Sequence, residues 1–259
     1  MAKMMDVGAD EAVKTTQGFG YTSVSIDKLG ATEYTIVQIV VDQTGSVHGF
    51  KDDLEKMIQS VVEACKKSPR AMNLLIRVTA FDAEGFSDRV RIDEIHGFTI
   101  LDSIDTAQYI GTIEPDGCTP LWEATAESID AVFDYGQKLY DKEYFCNGIV
   151  YIITDGENNV VKNNTPETIK KKLADIRRNE KILESMITVL IGVNDEDCAE
   201  ALEEFKDKAN LDEFISIGEA TPAKLAKLAK MVSESISSQS DSLGSGGPSQ
   251  PIAVDKYNF

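Results

Sequence analysis

The stretch TIVQIVVDQTGS, residues 35–46, decides which fold this chain can adopt. Its first seven residues form an almost continuous apolar, β-branched run, which is typical of a strand buried on both faces of a sheet. The run ends at Asp42, and Gly45 then allows a tight turn. We therefore expect a central strand whose carboxyl end carries one carboxylate and two hydroxyl groups.

Other short apolar runs repeat this pattern along the chain and alternate with stretches in which apolar residues recur at helical spacing. The further predicted strands cover residues 74–81, 148–154, 186–193 and 214–217. The predicted helices cover residues 50–65, 121–133, 166–178, 196–209 and 222–236. This alternation predicts an α/β fold with a doubly wound, mostly parallel sheet, helices on both faces and right-handed connections.

Residues 82–104 interrupt the alternation. Ala83-Glu84-Gly85 is followed by the apolar positions Val90 and Ile92, and a second apolar run covers residues 98–101. This spacing favours a β-hairpin, so we expect one antiparallel edge strand in the otherwise parallel sheet.

The two ends of the chain differ in composition from its middle. Residues 237–251 are rich in Ser, Gly and Pro, and we expect residues 237–259 to form a flexible tail. Aromatic and aliphatic residues return at 252–259, either as a docking peptide or as part of a disordered end. With residues 1–20 predicted to be a flexible N-terminal segment, the folded domain is expected to cover 21–236.

Composition excludes several classes of partner and site. The formal net charge is −18, from 44 acidic and 26 basic residues, which disfavours binding to nucleic acid. No stretch reaches the roughly 20 apolar residues of a membrane span, and acidic residues near the start argue against a signal peptide. The four cysteines are far apart, so we expect no zinc site, no disulfide framework and a cytoplasmic location.

Oxygen-bearing side chains gather at three predicted loops. Asp42, Thr44 and Ser46 follow the first strand, Asp155 follows strand 148–154, and Thr119 precedes the helix at 121. Open α/β sheets bind ligands at the carboxyl ends of their strands. Carboxylate and hydroxyl oxygens without His or Cys suit Mg²⁺, with Mn²⁺ or Ca²⁺ as alternatives. We predict one divalent cation here, with about one of its six positions open to a partner.

Each segment also has a purely structural interpretation. Asp, Ser and Thr are favoured helix caps, and Asp-Gly is a common turn. Thr119-Pro120 has the same form as Thr165-Pro166 and Thr221-Pro222, which are typical helix starts with a capping threonine. The joint occurrence of all three segments, in this order, is what favours a metal site.

The set Asp42-x-Thr44-x-Ser46, Thr119 and Asp155 resembles the metal-ion-dependent adhesion site of von Willebrand factor A (vWA) domains. The resemblance extends over residues 35–236, although Thr44 stands where serine is commoner. It implies that the three hydroxyls bind the ion directly, that the two aspartates act through water, and that a partner supplies an Asp or Glu. It further implies a protein-binding module that is not an enzyme, working beside a MoxR-type AAA+ ATPase or in another assembly.

Two other functions are compatible with the sequence. A metal-dependent phosphohydrolase would use the aspartate after the first strand, but its second acid would fall at position 44, which is Thr44. Alternatively, the fold serves as a metal-free structural interaction module. A nucleotide site is not indicated, because neither a phosphate-binding Gly-x-x-x-x-Gly-Lys-Ser/Thr loop nor a Gly-x-Gly-x-x-Gly turn follows the first strand.

Overall fold

A single mixed sheet organises the chain. The computed structural model describes residues 11–14, 20–84, 89–178, 181–257 and 259. In these ranges the strands are β1 Glu11–Lys14, β2 Gly20–Ser23, β3 Glu33–Asp42, β4 Leu74–Ala83, β5 Val90–Ile100, β6 Phe145–Thr154, β7 Met186–Gly192 and β8 Glu213–Ser216. They lie in the order β1-β2-β5-β4-β3-β6-β7-β8. Strands β4, β3, β6, β7 and β8 are mutually parallel, which confirms the predicted fold class.

Helices cover both faces of the sheet. They are α1 Lys51–Lys66, α2 Leu121–Tyr140, α3 Pro166–Arg177, α4 Ala199–Ala209 and α5 Pro222–Gly244. Alternate residues of β3 face opposite ways: Val37 and Val41 belong to the core formed with α1 and α5, whereas Ile36 and Val40 belong to the core formed with α2, α3 and α4. The central strand is therefore apolar on both faces, as its sequence predicts.

The predicted antiparallel strand is β5, which pairs with β4, but it is not the edge of the sheet as we expected. The connecting turn at 85–88 lies outside the described residues. Beyond β5 the sheet continues with β2, parallel to it, and then with β1, antiparallel to β2. Residues 11–14 thus form a strand in a segment predicted to be flexible, because the outer edge of β2 offers unpaired backbone groups. Residues 1–10 and 15–19 lie outside the described residues.

Helix α5 corrects the predicted start of the tail. It continues to Gly244, eight residues past the expected end at Ile236. Serine-rich sequence favours loops, but here Ser240 and Ser242 are buried, and the Ser242 hydroxyl donates to the carbonyl of Ser238 at 3.0 Å. The short side chains allow close packing while the helix supplies acceptors for their hydroxyls.

The end of the chain folds back onto α5. Ile252 is 8% exposed and joins the core beside this helix. The backbone N–H of Gln250 donates to the side-chain oxygen of Gln239 at 3.2 Å, and Lys256 forms an ion pair with Glu234 at 2.8 Å. The final apolar residues therefore contact the chain's own last helix. None of the helices in the described ranges is both long and apolar enough to cross a membrane.

A buried ion-pair network ties the sheet to α2. The side chains of Arg77 on β4 and Glu127 on α2 are both fully buried and lie 3.0 Å apart. Arg77 also contacts Glu94 on β5 at 2.6 Å, and Glu94 accepts a hydrogen bond of 3.0 Å from the backbone N–H of Thr22 on β2. One guanidinium thus joins two neighbouring strands and the helix that leads away from the Thr119 loop.

We predict that Glu127→Ala lowers the free energy of unfolding by about 3–5 kcal/mol, because Arg77 loses its buried partner. Urea unfolding followed by circular dichroism measures this change. As a control, Arg178→Ala removes one member of an exposed pair with Asp175 and should cost less than about 1 kcal/mol. Equal losses in the two variants would contradict a structural role for the buried network.

Candidate metal centre

Two aspartates lie side by side at the carboxyl edge of the sheet. Asp42 is the last residue of β3, and Asp155 follows the last residue of β6. These strands are parallel neighbours, and Val41 pairs with Ile153, so their ends coincide. Asp42 is fully buried, and Asp155 is 9% exposed. The sheet itself therefore brings two carboxylates together in a largely water-excluded place.

Thr44 and Ser46 of the first loop connect the two carboxylates. The backbone N–H of Thr44 donates to Asp42 Oδ1 at 2.8 Å, and the Thr44 and Ser46 hydroxyl oxygens lie 3.0 Å apart. Ser46 Oγ donates to Asp155 Oδ1 at 2.7 Å. Ser46 is exposed, in a 3₁₀ turn over Gly45–Gly49. Four of the five predicted residues thus form one hydrogen-bonded chain that opens to solvent at Ser46.

Thr119 adjoins this chain from the third loop. Its side chain is buried, and its hydroxyl oxygen lies 3.6 Å from where a Cβ on Gly156 would stand. Gly45 N–H donates to the carbonyl of Gly117 at 3.5 Å, which joins the first and third loops. The structure therefore brings Thr119 to the same edge, next to the residue after Asp155.

The helix-cap interpretation of Thr119 is wrong. The hydroxyls of Thr165 and Thr221 accept hydrogen bonds from backbone N–H groups three residues later, as capping threonines do. Helix α2 instead has Pro120 at its N-cap and no side-chain cap from that residue. The Thr119 hydroxyl is therefore not used as the cap of α2, unlike those of its two sequence analogues.

Sequence reasoning missed the residues that hold these loops together. Asn159 Oδ1 accepts the backbone N–H of Thr119 at 2.6 Å, and Asn158 Oδ1 accepts that of Trp122 at 3.0 Å. Thr154 Oγ1 donates to Asp42 Oδ2 at 2.6 Å, linking the ends of β6 and β3. Two consecutive asparagines in the sequence indicate only a turn, since their partners lie in another loop.

The electrostatics of the site favour a bound cation. Burial raises the pKa of Asp42 to about 7, helped by the negative charge of Asp155 and opposed by the hydrogen bonds from Thr154 and Thr44. Burial also raises the pKa of Asp155. Within the described ranges, neither carboxylate forms an ion pair with Lys, Arg or His. Two buried carboxylates without a counter-charge are a costly arrangement that a cation would relieve.

The donor set fits a hard cation. It consists of two carboxylates and three hydroxyls, all oxygen donors, which suit Mg²⁺, Mn²⁺ or Ca²⁺. No group of three or more His, Cys, Asp or Glu side chains able to hold a metal is found in the described part of the chain. The Cys198 thiol donates to the Asp155 carbonyl at 3.4 Å, but burial first, and then nearby carboxylates, raise its pKa to about 11. It therefore keeps its proton near neutral pH and is a poor metal ligand.

Trp122 lies in the first turn of α2, beside the loop that follows Asp155. It borders a cleft together with Glu157, Asn158 and Phe205, and its ring centroid is 6.4 Å from that of Phe205. Trp122 is partly buried against the core as well. Its indole therefore lies between α2 and α4, beside the loop that follows Asp155.

No protein-family model matches the chain, and no curated protein is significantly similar to it in sequence. Solved structures do match it. The minor pilin PilB of Streptococcus sanguinis has a TM-score of 0.59 at 13% identity, covering 86% of this chain and 65% of its own. The pilus adhesin SpaC of Lactobacillus rhamnosus GG has a TM-score of 0.55 at 10% identity, covering 85% and 32%.

A third structural neighbour is proximal thread matrix protein 1 from the mussel byssus. Its TM-score is 0.50 at 15% identity, and the match covers 80% of this chain and 47% of that protein. This chain spans less than two thirds of the length of each of the three neighbours. At these identities the likeness establishes the fold, an α/β fold with a mostly parallel sheet and helices around it, and nothing further.

We predict that stability without metal depends on the titration of Asp42. An acid whose pKa is higher in the folded chain binds more protons when folded, so the free energy of unfolding falls as pH rises from 3.8 to about 7. Above that range the contribution stays lost. In urea unfolding with chelator, wild type should lose more stability than Asp42→Asn between about pH 4.5 and about pH 8. The same pH dependence in both proteins would contradict a buried, uncompensated carboxylate.

Proposed function

We propose that this chain is a protein-binding module that holds one divalent cation, Mg²⁺ in the first instance, on Asp42, Thr44, Ser46, Thr119 and Asp155. The observation that carries the proposal is the pair of buried carboxylates, joined by hydroxyls and lacking a positive partner among the described residues. When bound, the cation supplies a positive centre that an anionic group of a partner can ligate.

The open side of the site supports a protein partner that offers an Asp or Glu. Asp42 is covered by the sheet and loops, whereas Ser46 is exposed, so an ion at this edge is approached from the Ser46 side. A carboxylate from outside would meet the ion there and complete its oxygen shell. Without the ion, the net charge of −18 repels a carboxylate of the partner. Binding of such a partner is therefore expected to depend on the metal.

The wider assignment follows from the resemblance to vWA domains. It implies an adaptor for a MoxR-type AAA+ ATPase or for another multi-protein assembly. The proposed cytoplasmic location comes instead from the four widely spaced cysteines. The part of the chain proposed to carry the function is residues 21–236, and its last helix, α5, continues to Gly244. Two structural neighbours are named as a minor pilin and a pilus adhesin. A protein-binding role for this chain agrees with those names.

The enzyme alternative receives no support from the site. A phosphohydrolase of the aspartyl type needs a second carboxylate as acid and base, and its position holds Thr44. The Thr44 hydroxyl lies within hydrogen-bond distance of Ser46, so it belongs to the oxygen cluster. A metal-free interaction module makes a different prediction, because its partner binding would be insensitive to chelator.

We expect calorimetric titration of Mg²⁺ or Mn²⁺ into metal-free protein to give saturable binding to one site. Ser46→Ala removes one exposed ligand hydroxyl and should weaken binding about tenfold or more, equivalent to about 1.4 kcal/mol. Ser60→Ala, which removes an exposed hydroxyl from α1, is the matched control and should bind like wild type.

Two outcomes would count against the proposal. If wild type takes up neither ion, the site is not a metal centre in the free chain. If both serine variants bind as wild type does, the ion lies elsewhere on this acidic protein.

A further inference from the structure

The start of α2 is capped by another part of the chain. Pro120 occupies the N-cap and contributes no side-chain hydrogen bond to the first turn. The backbone N–H of Trp122, which has no partner within the helix, donates to the side chain of Asn158. The backbone N–H of Thr119, just before the helix, donates to the side chain of Asn159. Uncapped N–H groups at a helix start require acceptors. Here the acceptors come from the loop that begins at Asp155.

Two hydrogen bonds connect Asn159 with the backbone of Thr119. Its side-chain oxygen accepts the Thr119 N–H at 2.6 Å, and its own N–H donates to the Thr119 carbonyl at 3.0 Å. Thr119 is thereby fixed on both sides of its Cα atom. The position of its hydroxyl relative to the loop of Asp155 is set by this pairing, and no metal is needed to form it.

The far end of the same loop is held by a buried carboxylate. Glu123, in the first turn of α2, is 1% exposed and accepts hydrogen bonds from the backbone N–H groups of Asn163 and Asn164. The Asn164 side chain donates to it as well. The loop is therefore fastened to α2 at both ends, at Asn159 and at Asn164.

We infer that Asn159 is a positioning residue, which locks the loop of Thr119 to the loop of Asp155 and so sets the spacing of two proposed cation ligands. Asn158 and Glu123 add further contacts between these loops and α2. We call this set of contacts the joint. This inference rests on the proposed function for its consequence, the affinity for metal. The joint itself is a property of the metal-free chain and is tested separately.

The first experiment compares Mn²⁺ affinity among folded variants. Asn159→Ala removes the acceptor of the Thr119 N–H, and loss of a group that orients ligands typically weakens metal binding about 10- to 100-fold. Asn159→Asp keeps an oxygen acceptor there and should retain wild-type affinity or exceed it. Asn159 is exposed, so both variants are expected to fold.

Asn73→Ala is the matched control. Asn73 donates to the Glu33 carbonyl at 3.0 Å at the opposite end of β3, so its loss also removes one hydrogen bond between a side chain and the backbone. It should leave the affinity for Mn²⁺ unchanged. An Asn159→Ala affinity within about twofold of wild type, or equal losses in the Ala and Asp variants, would overturn the positioning role.

The second experiment needs no metal. Amide exchange followed by nuclear magnetic resonance in chelator should show the Thr119 amide exchanging about tenfold faster in Asn159→Ala than in wild type or Asn73→Ala. Unchanged exchange would refute the joint. Faster exchange in a protein that binds no Mn²⁺ would uphold the joint and reject the proposed function instead.

Discussion

Parallel pairing of β3 with β6 brings the carboxylates of Asp42 and Asp155 together at one sheet edge. Each strand is apolar on both faces, so its end is covered by neighbouring elements and water is largely excluded. Burial is the largest cause of the raised pKa of both groups. The two carboxylates also repel each other. The hydroxyls of Thr44 and Ser46 reduce this repulsion by hydrogen bonding, but they carry no positive charge to balance it.

The rest of the molecule holds that arrangement in place. Arg77 fastens α2 to the sheet through Glu127, and α2 begins directly after the loop of Thr119. The loop of Asp155 is in turn bound to α2 by Asn159 and Glu123. The proposed cation ligands therefore lie on loops and at a strand end, while their positions are fixed by buried contacts of helix and sheet.

Much of the fold was predictable because continuous apolar runs mark strands that are buried on both faces. The same logic located Asp42 and Asp155, since the ends of parallel strands share an edge. Local patterns failed where the deciding contacts are distant. The serines at 240 and 242 are typical of a loop, yet they pack within α5. Residues 11–14 pair with the nearby strand β2, which is itself held in the sheet by β5, a strand far along the chain.

The candidate site was predictable only in part. The sequence does not distinguish Thr119 from Thr165 and Thr221, since a proline follows all three. The structure does, because the hydroxyls of Thr165 and Thr221 cap their helices and that of Thr119 does not cap α2. Asn159 carried no signal, because its partner Thr119 is 40 residues away. That these side chains hold a cation stays a prediction, for which their geometry and charge supply the reason.

Anomalous diffraction from crystals grown with Mn²⁺ would locate the bound cation. We expect one strong anomalous peak at the carboxyl edge of β3 and β6, within coordination distance of the Ser46 hydroxyl and beside Asp42 and Asp155. A map without a peak there at saturating Mn²⁺, or with its strongest peak among other acidic side chains, would contradict this expectation.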